Sequence, residues 1–237
     1  MQMESGRAVL LIADIGGYTD YMSSHRFSLA HAEVNTARML EKMIDAAPGY
    51  DLIEIEGDAA FLSRSADGRD PEAEVAEILR VAVAMHRAFH LERQNVAANL
   101  CPCAGCKEAA ELKLKFVAHV GDVATQTIRE RIKLVGIDVI HVHRMLKNPV
   151  EIPEYVLLSD ELHASGPGAL TVDVHEISQD LEGIGTVRAY FVDVGDLDGD
   201  LPPLPAPSVR SRLGRTFAAA GLGMPYLLGM RRPRAVR

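Results

Sequence analysis

The stretch Leu10–Met22 reads LLIADIGGYTDYM, and its reading decides the fold. The apolar run Val9–Ala13 is short and bounded by glycines, which predicts a buried β-strand. It stops at a single carboxylate, Asp14. Gly16 and Gly17 permit a tight turn, and Tyr18 and Thr19 follow. An aspartate placed there has two physical uses. It caps a helix entry, or it holds a cation at the end of a buried strand.

Outward from that stretch the pattern alternates between helical and extended periods. Val34, Ala37, Leu40, Met43 and Ile44 recur at helical spacing, so Leu29–Ala47 is predicted as a helix that Pro48–Tyr50 stops. DLIEIEGDAAFLS, Asp51–Ser63, predicts a hairpin with Gly57 and Asp58 at its turn. Leu52, Glu54 and Glu56 then share one face, and Ile53 and Ile55 the other. Asp70-Pro71 opens a long helix running to about Asn95. Residues 95–110 interrupt the pattern with a cysteine-containing insert. Leu112–Gly121 reads as a strand with Leu114, Phe116 and Ala118 on one face. Asp138–Lys147 reads as a helix. Tyr155–Leu158, Val172–Glu176 and Val187–Val194 read as further strands. The order β-α-β-β-α-β, with a further helix and strands, predicts an α+β fold with a ferredoxin-like core. Helices are expected over one face of a mostly antiparallel sheet. The domain is expected over residues 1–198, and 199–237 as a proline-rich linker and tail.

Composition narrows the function classes. The chain has 237 residues, 48% hydrophobic and 24% charged, which suits one sizeable globular domain. A formal charge of −8 argues against nucleic acid as a partner of the body. No apolar run reaches the roughly 18–20 residues of a membrane helix, and the N-terminus lacks the pattern of a signal peptide. Three clustered cysteines make a poor disulfide framework. A cytoplasmic protein is expected. The tail from Ser208 to Arg237 carries seven arginines and no acid, interleaved with Phe217, Leu222, Tyr226, Leu227 and Leu228. That mixture suits an anionic membrane surface or an acidic partner.

In a ferredoxin-like sheet the first strand can lie beside the hairpin, so Asp14 and Asp58 can face one site. Two carboxylates alone repel, which pushes one toward protonation. Magnesium or manganese removes that cost. The N–H groups of Gly16, Gly17, Tyr18 and Thr19 can meet phosphate oxygens. A metal beside an anion-binding turn implies nucleoside triphosphate chemistry.

Several stretches, in order, resemble the catalytic domains of class III nucleotidyl cyclases. ADIGGYT resembles their first metal motif and EIEGDAAFL their second. FVAHVGDV is similar to their strand with a histidine-x-glycine-acid ending. GIDVIHVHRM resembles their dimer helix, with an arginine eight residues after the glycine. YVLLSDEL and LEGIGTVRAYFV resemble the closing segments. The insert and HRMLKN look most like a bacterial cyclase-like family of unknown function.

The resemblance implies a homodimer with sites at the interface. Two metal ions, held by Asp14, Asp58 and the carbonyl of Ile15, would orient the triphosphate and activate the ribose 3′-hydroxyl. Arg144 would reach in from the partner subunit to neutralise transition-state charge. The family's transition-state asparagine is replaced by Ile140, which offers no hydrogen bond, and His141 and His143 point elsewhere on the helix. The base-selecting positions hold Glu54 and Lys133, neither standard pair. Guanine is chemically sensible there, and the two side chains could also simply pair with each other. The chain therefore reads either as an enzyme forming a 3′,5′-cyclic nucleotide or as a degenerate cyclase-fold module that binds nucleotide or a protein partner in signalling.

Two further features stand apart. Cys101, Cys103 and Cys106 give C-x-C-x-x-C, one thiolate short of a four-ligand zinc site. His86 and His90, at i and i+4 on the preceding helix, offer the fourth ligand. Free reduced thiols are the alternative. His119 reads as a satisfied strand-end histidine.

Overall fold

The computed structural model describes residues 5–24, 29–98, 104–129, 131–199 and 201–206. Cys101, Cys103 and the arginine-rich tail from Ser208 lie outside the described residues.

The elements in chain order are β1 (Ser5–Gly16), α1 (Tyr18–Ser24), α2 (Leu29–Asp45), β2 (Asp51–Glu56), β3 (Ala59–Ser65), α3 (Pro71–Ala97) and α4 (Ala104–Glu108). Then come β4 (Lys113–Ile128), β5 (Arg131–Val135), α5 (Ile137–Met145), β6 (Tyr155–Ser159), α6 (Asp160–Ser165), β7 (His175–Leu181), β8 (Gly185–Asp193) and α7 (Val194–Asp198). The strands form one sheet in the order β2-β3-β1-β4-β6-β8-β7, with β5 paired to β4. The first four positions are the ferredoxin-like arrangement, and every pairing is antiparallel except β4 with β6. The protein is α+β, as the periodicities predict.

β1 is central because it is apolar on both faces. Val9, Leu11 and Ala13 enter the core beneath α2 and α3, while Leu10 and Ile12 enter a second core on the opposite face. α5 closes that second core with Val142 and Met145. Helices therefore cover both faces, where one was expected. The reason lies in α5's apolar positions, which bury against β1 and β4 on the side that α2 and α3 leave open. Leu114, Phe116 and Ala118 share the α2/α3 face of β4, as their alternation predicts.

α3 starts as its sequence dictates. The Asp70 carboxylate accepts a hydrogen bond from the Ala73 N–H at 3.0 Å, and Pro71 occupies the first turn. A buried ion pair between Arg64 on β3 and Glu74 on α3 pins the helix to the sheet, and Tyr50 stacks on the same guanidinium at 4.7 Å.

Three boundaries differ from expectation. β4 runs beyond Gly121 to Ile128 because β5 returns alongside it. The strand expected over Val172–Glu176 is β7, which begins only at His175. Val172 and Val174 are apolar because they pad the α2/α3 core as irregular chain, not because they pair. α6 is a six-residue helix, too short for a periodic signal, and Ser159 caps it through the Leu162 N–H at 3.3 Å.

Candidate functional site

Asp14 ends β1 between two partners, opposite Ala59 on β3 and Lys115 on β4. Asp58 occupies the β2–β3 turn, which Gly57 makes possible at φ 67°. The Ile15 N–H donates to the Asp58 carbonyl at 3.3 Å, so strand end and turn are fixed to each other. Burial and, next, the Asp14 charge push the Asp58 carboxyl up from 3.8 to about 6. Burial is the larger cause, and the neighbouring Asp14 charge adds to it. Lys115 Nζ offsets part of it at 3.2 Å from Asp14 Oδ2.

The glycine turn follows directly. Gly16 closes β1, Gly17 turns at φ 82°, and Tyr18 and Thr19 open α1. Burial, then Asp58 and Glu33, raise the Tyr18 hydroxyl above its ordinary range. A cleft of about 320 Å³ flanks the far side of the turn, lined by Gly17, Asp20, Tyr21, Glu108, Glu111 and Leu112.

The other predicted residues stand on β2, β5 and α5. Lys133 on β5 reaches Glu54 on β2 at 3.5 Å, both side chains partly exposed. On α5, Ile140 is exposed, and the Arg144 guanidinium lies against Gly183 in the β7–β8 turn. His143 turns to Phe61 and Glu56, and His141 to His119, so neither replaces what Ile140 lacks. Among the described residues, no hydrogen bond or ion pair joins the side chains of Asp14 or Asp58 to Glu54, Lys133 or Arg144.

The expected zinc ligands divide. His86 and His90 share one face of α3, but the group they meet is the Glu154 carboxylate. Cys106 is buried elsewhere, where it accepts a hydrogen bond from Asn35 Nδ2 on α2 at 3.7 Å.

The family model for a protein of unknown function, DUF2652, matches residues 36–155. The uncharacterized protein Rv2561/Rv2562 of Mycobacterium tuberculosis is 34% identical over 198 residues, 83% of this chain and 90% of that protein. The chain belongs to the DUF2652 family. Its fold is that of class III cyclase catalytic domains. The guanylyl cyclase Cya2 matches with a TM-score of 0.64 at 18% identity, over 81% of this chain and 94% of that one. The adenylyl cyclase CyaB from P. aeruginosa matches with 0.62 at 16% identity, over 81% and 97%. A class III adenylyl cyclase-like ATP-binding protein from Pseudomonas aeruginosa matches with 0.58 at 17% identity, over 69% of this chain and 35% of its own.

Sequence reading of this DUF2652 chain missed two groups. Lys115 had a signal: alternation in LKLKF puts Lys113 and Lys115 on the face opposite Leu114 and Phe116. The second group fixes α5. His119 bonds Ser159 Oγ through Nδ1 at 2.8 Å and Asp138 Oδ1 through Nε2 at 3.0 Å, while Asp138 Oδ2 accepts the Asp122 N–H at 2.7 Å. Gly121 makes room for it, since a Cβ there would lie 2.2 Å from Asp138 Cγ. His119 is thus satisfied, as expected, and its partners orient the helix that carries Ile140 and Arg144. Burial, then His119, lowers the pKa of His141 and favours its neutral form.

Proposed function

We propose that this DUF2652 protein binds a nucleoside triphosphate with magnesium or manganese at Asp14 and Asp58, as a homodimer of cyclase-like domains. The observation that carries the reading is geometric: Asp14 at the end of β1 and Asp58 in the β2–β3 turn are tied together by the Ile15 N–H to Asp58 carbonyl bond at 3.3 Å, beside the Gly16–Gly17 turn. Such a pair is poorly balanced without a cation and well balanced with one. When bound, the metal supplies Lewis-acid polarisation of phosphate and activation of the 3′-hydroxyl. Asp14, Asp58 and the carbonyl of Ile15 would hold it. Gly16–Thr19 offer amides to the phosphates, and Lys115 is free to exchange Asp14 for a phosphate oxygen once the cation neutralises Asp14.

Arg144 of one subunit would act on the site of the other. Exposed Leu52 and Ile55 on β2 and Ile137 and Ile140 on α5 supply apolar surface for that association. With these parts the proposed reaction is cyclisation: the 3′-hydroxyl gives up its proton to solvent, its oxygen bonds the α-phosphorus, the bond from the α-phosphorus to the α–β bridging oxygen breaks, and pyrophosphate leaves. No helix among the described residues is long and apolar enough to cross a membrane; the arginine-rich tail is the segment proposed to reach a membrane surface.

A second reading rests on a specific observation. Ile140 offers no hydrogen bond to the transition state, and Glu54 and Lys133 are already paired with each other. On that reading the protein binds nucleotide without turnover and signals by that binding. Incubation of the folded dimer with each of the four triphosphates and Mn²⁺, followed by mass spectrometry, separates the two. Cyclic product that disappears in Asp14→Ala supports the enzyme. Binding without product supports the module.

A further inference from the structure

On the face of the sheet opposite Asp14, α3 directs two imidazoles at one carboxylate. His86 and His90 are one turn apart, and Glu154 stands just before β6. His90 Nε2 lies 2.7 Å from Glu154 Oε1. His86 Nε2 lies 3.4 Å from the same oxygen, outside hydrogen-bond geometry. The rings lie 4.1 Å apart, tilted by 58°. The side chains are 13%, 8% and 21% exposed for His86, His90 and Glu154.

The second observation is on His86 itself. Both of its ring nitrogens are buried, and neither has a hydrogen-bond partner. An imidazole whose Nδ1 has no partner and whose Nε2 has only a 3.4 Å contact to Glu154, in a packed helix face, needs an explanation, and an ion is one. Tetrahedral zinc, with ligand distances near 2.0–2.2 Å, holds its donor atoms about 3.3 Å apart. The His86–Glu154 separation already has that value, and the His90–Glu154 separation reaches it by opening about half an ångström.

The surroundings suit a cation. The Glu154 carboxylate is held in place by the Leu114 N–H, which donates to Oε1 at 3.0 Å. Arg93, one turn beyond His90, is occupied by the Leu112 carbonyl at 2.6 Å.

We propose that His86, His90 and Glu154 bind one zinc-type divalent ion that ties α3 to β4 and β6. Two imidazoles and a carboxylate are a zinc ligand set, with histidines at i and i+4 on a helix. A water completes the shell. The set contains no thiolate and is separate from the nucleotide site.

The test uses the full chain, produced without a histidine tag, stripped with chelator and checked for fold by circular dichroism. Titration with Zn²⁺ is expected to bind one equivalent per chain and raise the Tm. Co²⁺ is expected to give a tetrahedral visible spectrum without a thiolate charge-transfer band. Glu154→Gln keeps the side-chain volume and is expected to weaken Zn²⁺ at least tenfold. His86→Ala is expected to abolish the stoichiometric site, and Cys101→Ser and Asp14→Asn to retain it. A folded, stripped wild type that takes up no Zn²⁺ would overturn the proposal without any variant. So would a site that survives in Glu154→Gln with unchanged affinity, or one that vanishes in Cys101→Ser.

Discussion

The two halves of the proposed nucleotide site are built differently. Asp14, Asp58 and Lys115 stand on the ends and turns of the central strands, partly buried, one carboxyl shifted to about 6. Glu54, Lys133 and Ile140 stand on an edge strand, an accessory strand and an exposed helix face. The first group is fixed by backbone: the turn geometry at Gly57 and the β1–β3–β4 register place it whether or not it is used. The second also stands on paired strands and a helix, but its side chains point to solvent, so a sequence can alter it at little cost to the fold. A cyclase fold can therefore keep its cation chemistry while its base and transition-state contacts drift.

The comparison breaks most readily at Asp14. Asp14→Ala is expected to weaken Mn²⁺-dependent triphosphate binding by more than about 100-fold, beyond the usual effect of losing an outer partner of a metal ligand. Titration calorimetry measures it. Unchanged binding would place the nucleotide elsewhere. Ile140→Asn tests the other half. If only the transition-state donor is missing, restoring it should raise cyclic-product formation by about 10²–10³-fold, read by mass spectrometry. No gain would mean that the base pocket, not this donor, limits turnover.

The carboxylate half should also respond to pH. In the metal-free protein Asp58 holds its proton more tightly folded than unfolded, with its pKa raised from 3.8 to about 6. Through this group the metal-free protein gains stability as pH falls from about 6 to 4, and loses it as pH rises through that window. A bound cation acts in the opposite sense, because it needs the carboxylate. The Tm increase from Mn²⁺ should then be larger at pH 7.5 than at pH 5, and scanning calorimetry with Asp58→Asn as control checks it. An equal increase at both values would mean that Asp58 does not touch the ion. The smallest effect belongs to the exposed half. Breaking the Glu54–Lys133 pair with Lys133→Ala should cost about 0–1 kcal/mol of stability in urea unfolding. Any change in preference among the four triphosphates would place the pair at the base.

The central features of the fold were legible because they rest on local rules. The lone carboxylate after Val9–Ala13, the Gly57–Asp58 turn and the Asp70-Pro71 helix start each announce themselves within a few residues. β7 was misplaced because Val172 and Val174 are buried by tertiary packing with no strand behind them. The cover on the second face was missed because nothing in α5's own pattern says which side of the sheet it takes. Outside the nucleotide site, Glu154 carried no signal, since the chain brings it to His86 and His90 from 64 residues beyond His90. Lys115 did carry one, as a lysine on the sheet face that also bears Asp14.

The most direct test of the account is titration of the purified protein with each nucleoside triphosphate, with and without Mn²⁺, for the native chain and Asp14→Asn. The account predicts binding of at least one triphosphate that requires Mn²⁺ and is lost in Asp14→Asn, while the Zn²⁺ site at His86, His90 and Glu154 remains loaded. Binding of no triphosphate by the folded native protein, or binding indifferent to both Mn²⁺ and Asp14, would contradict it.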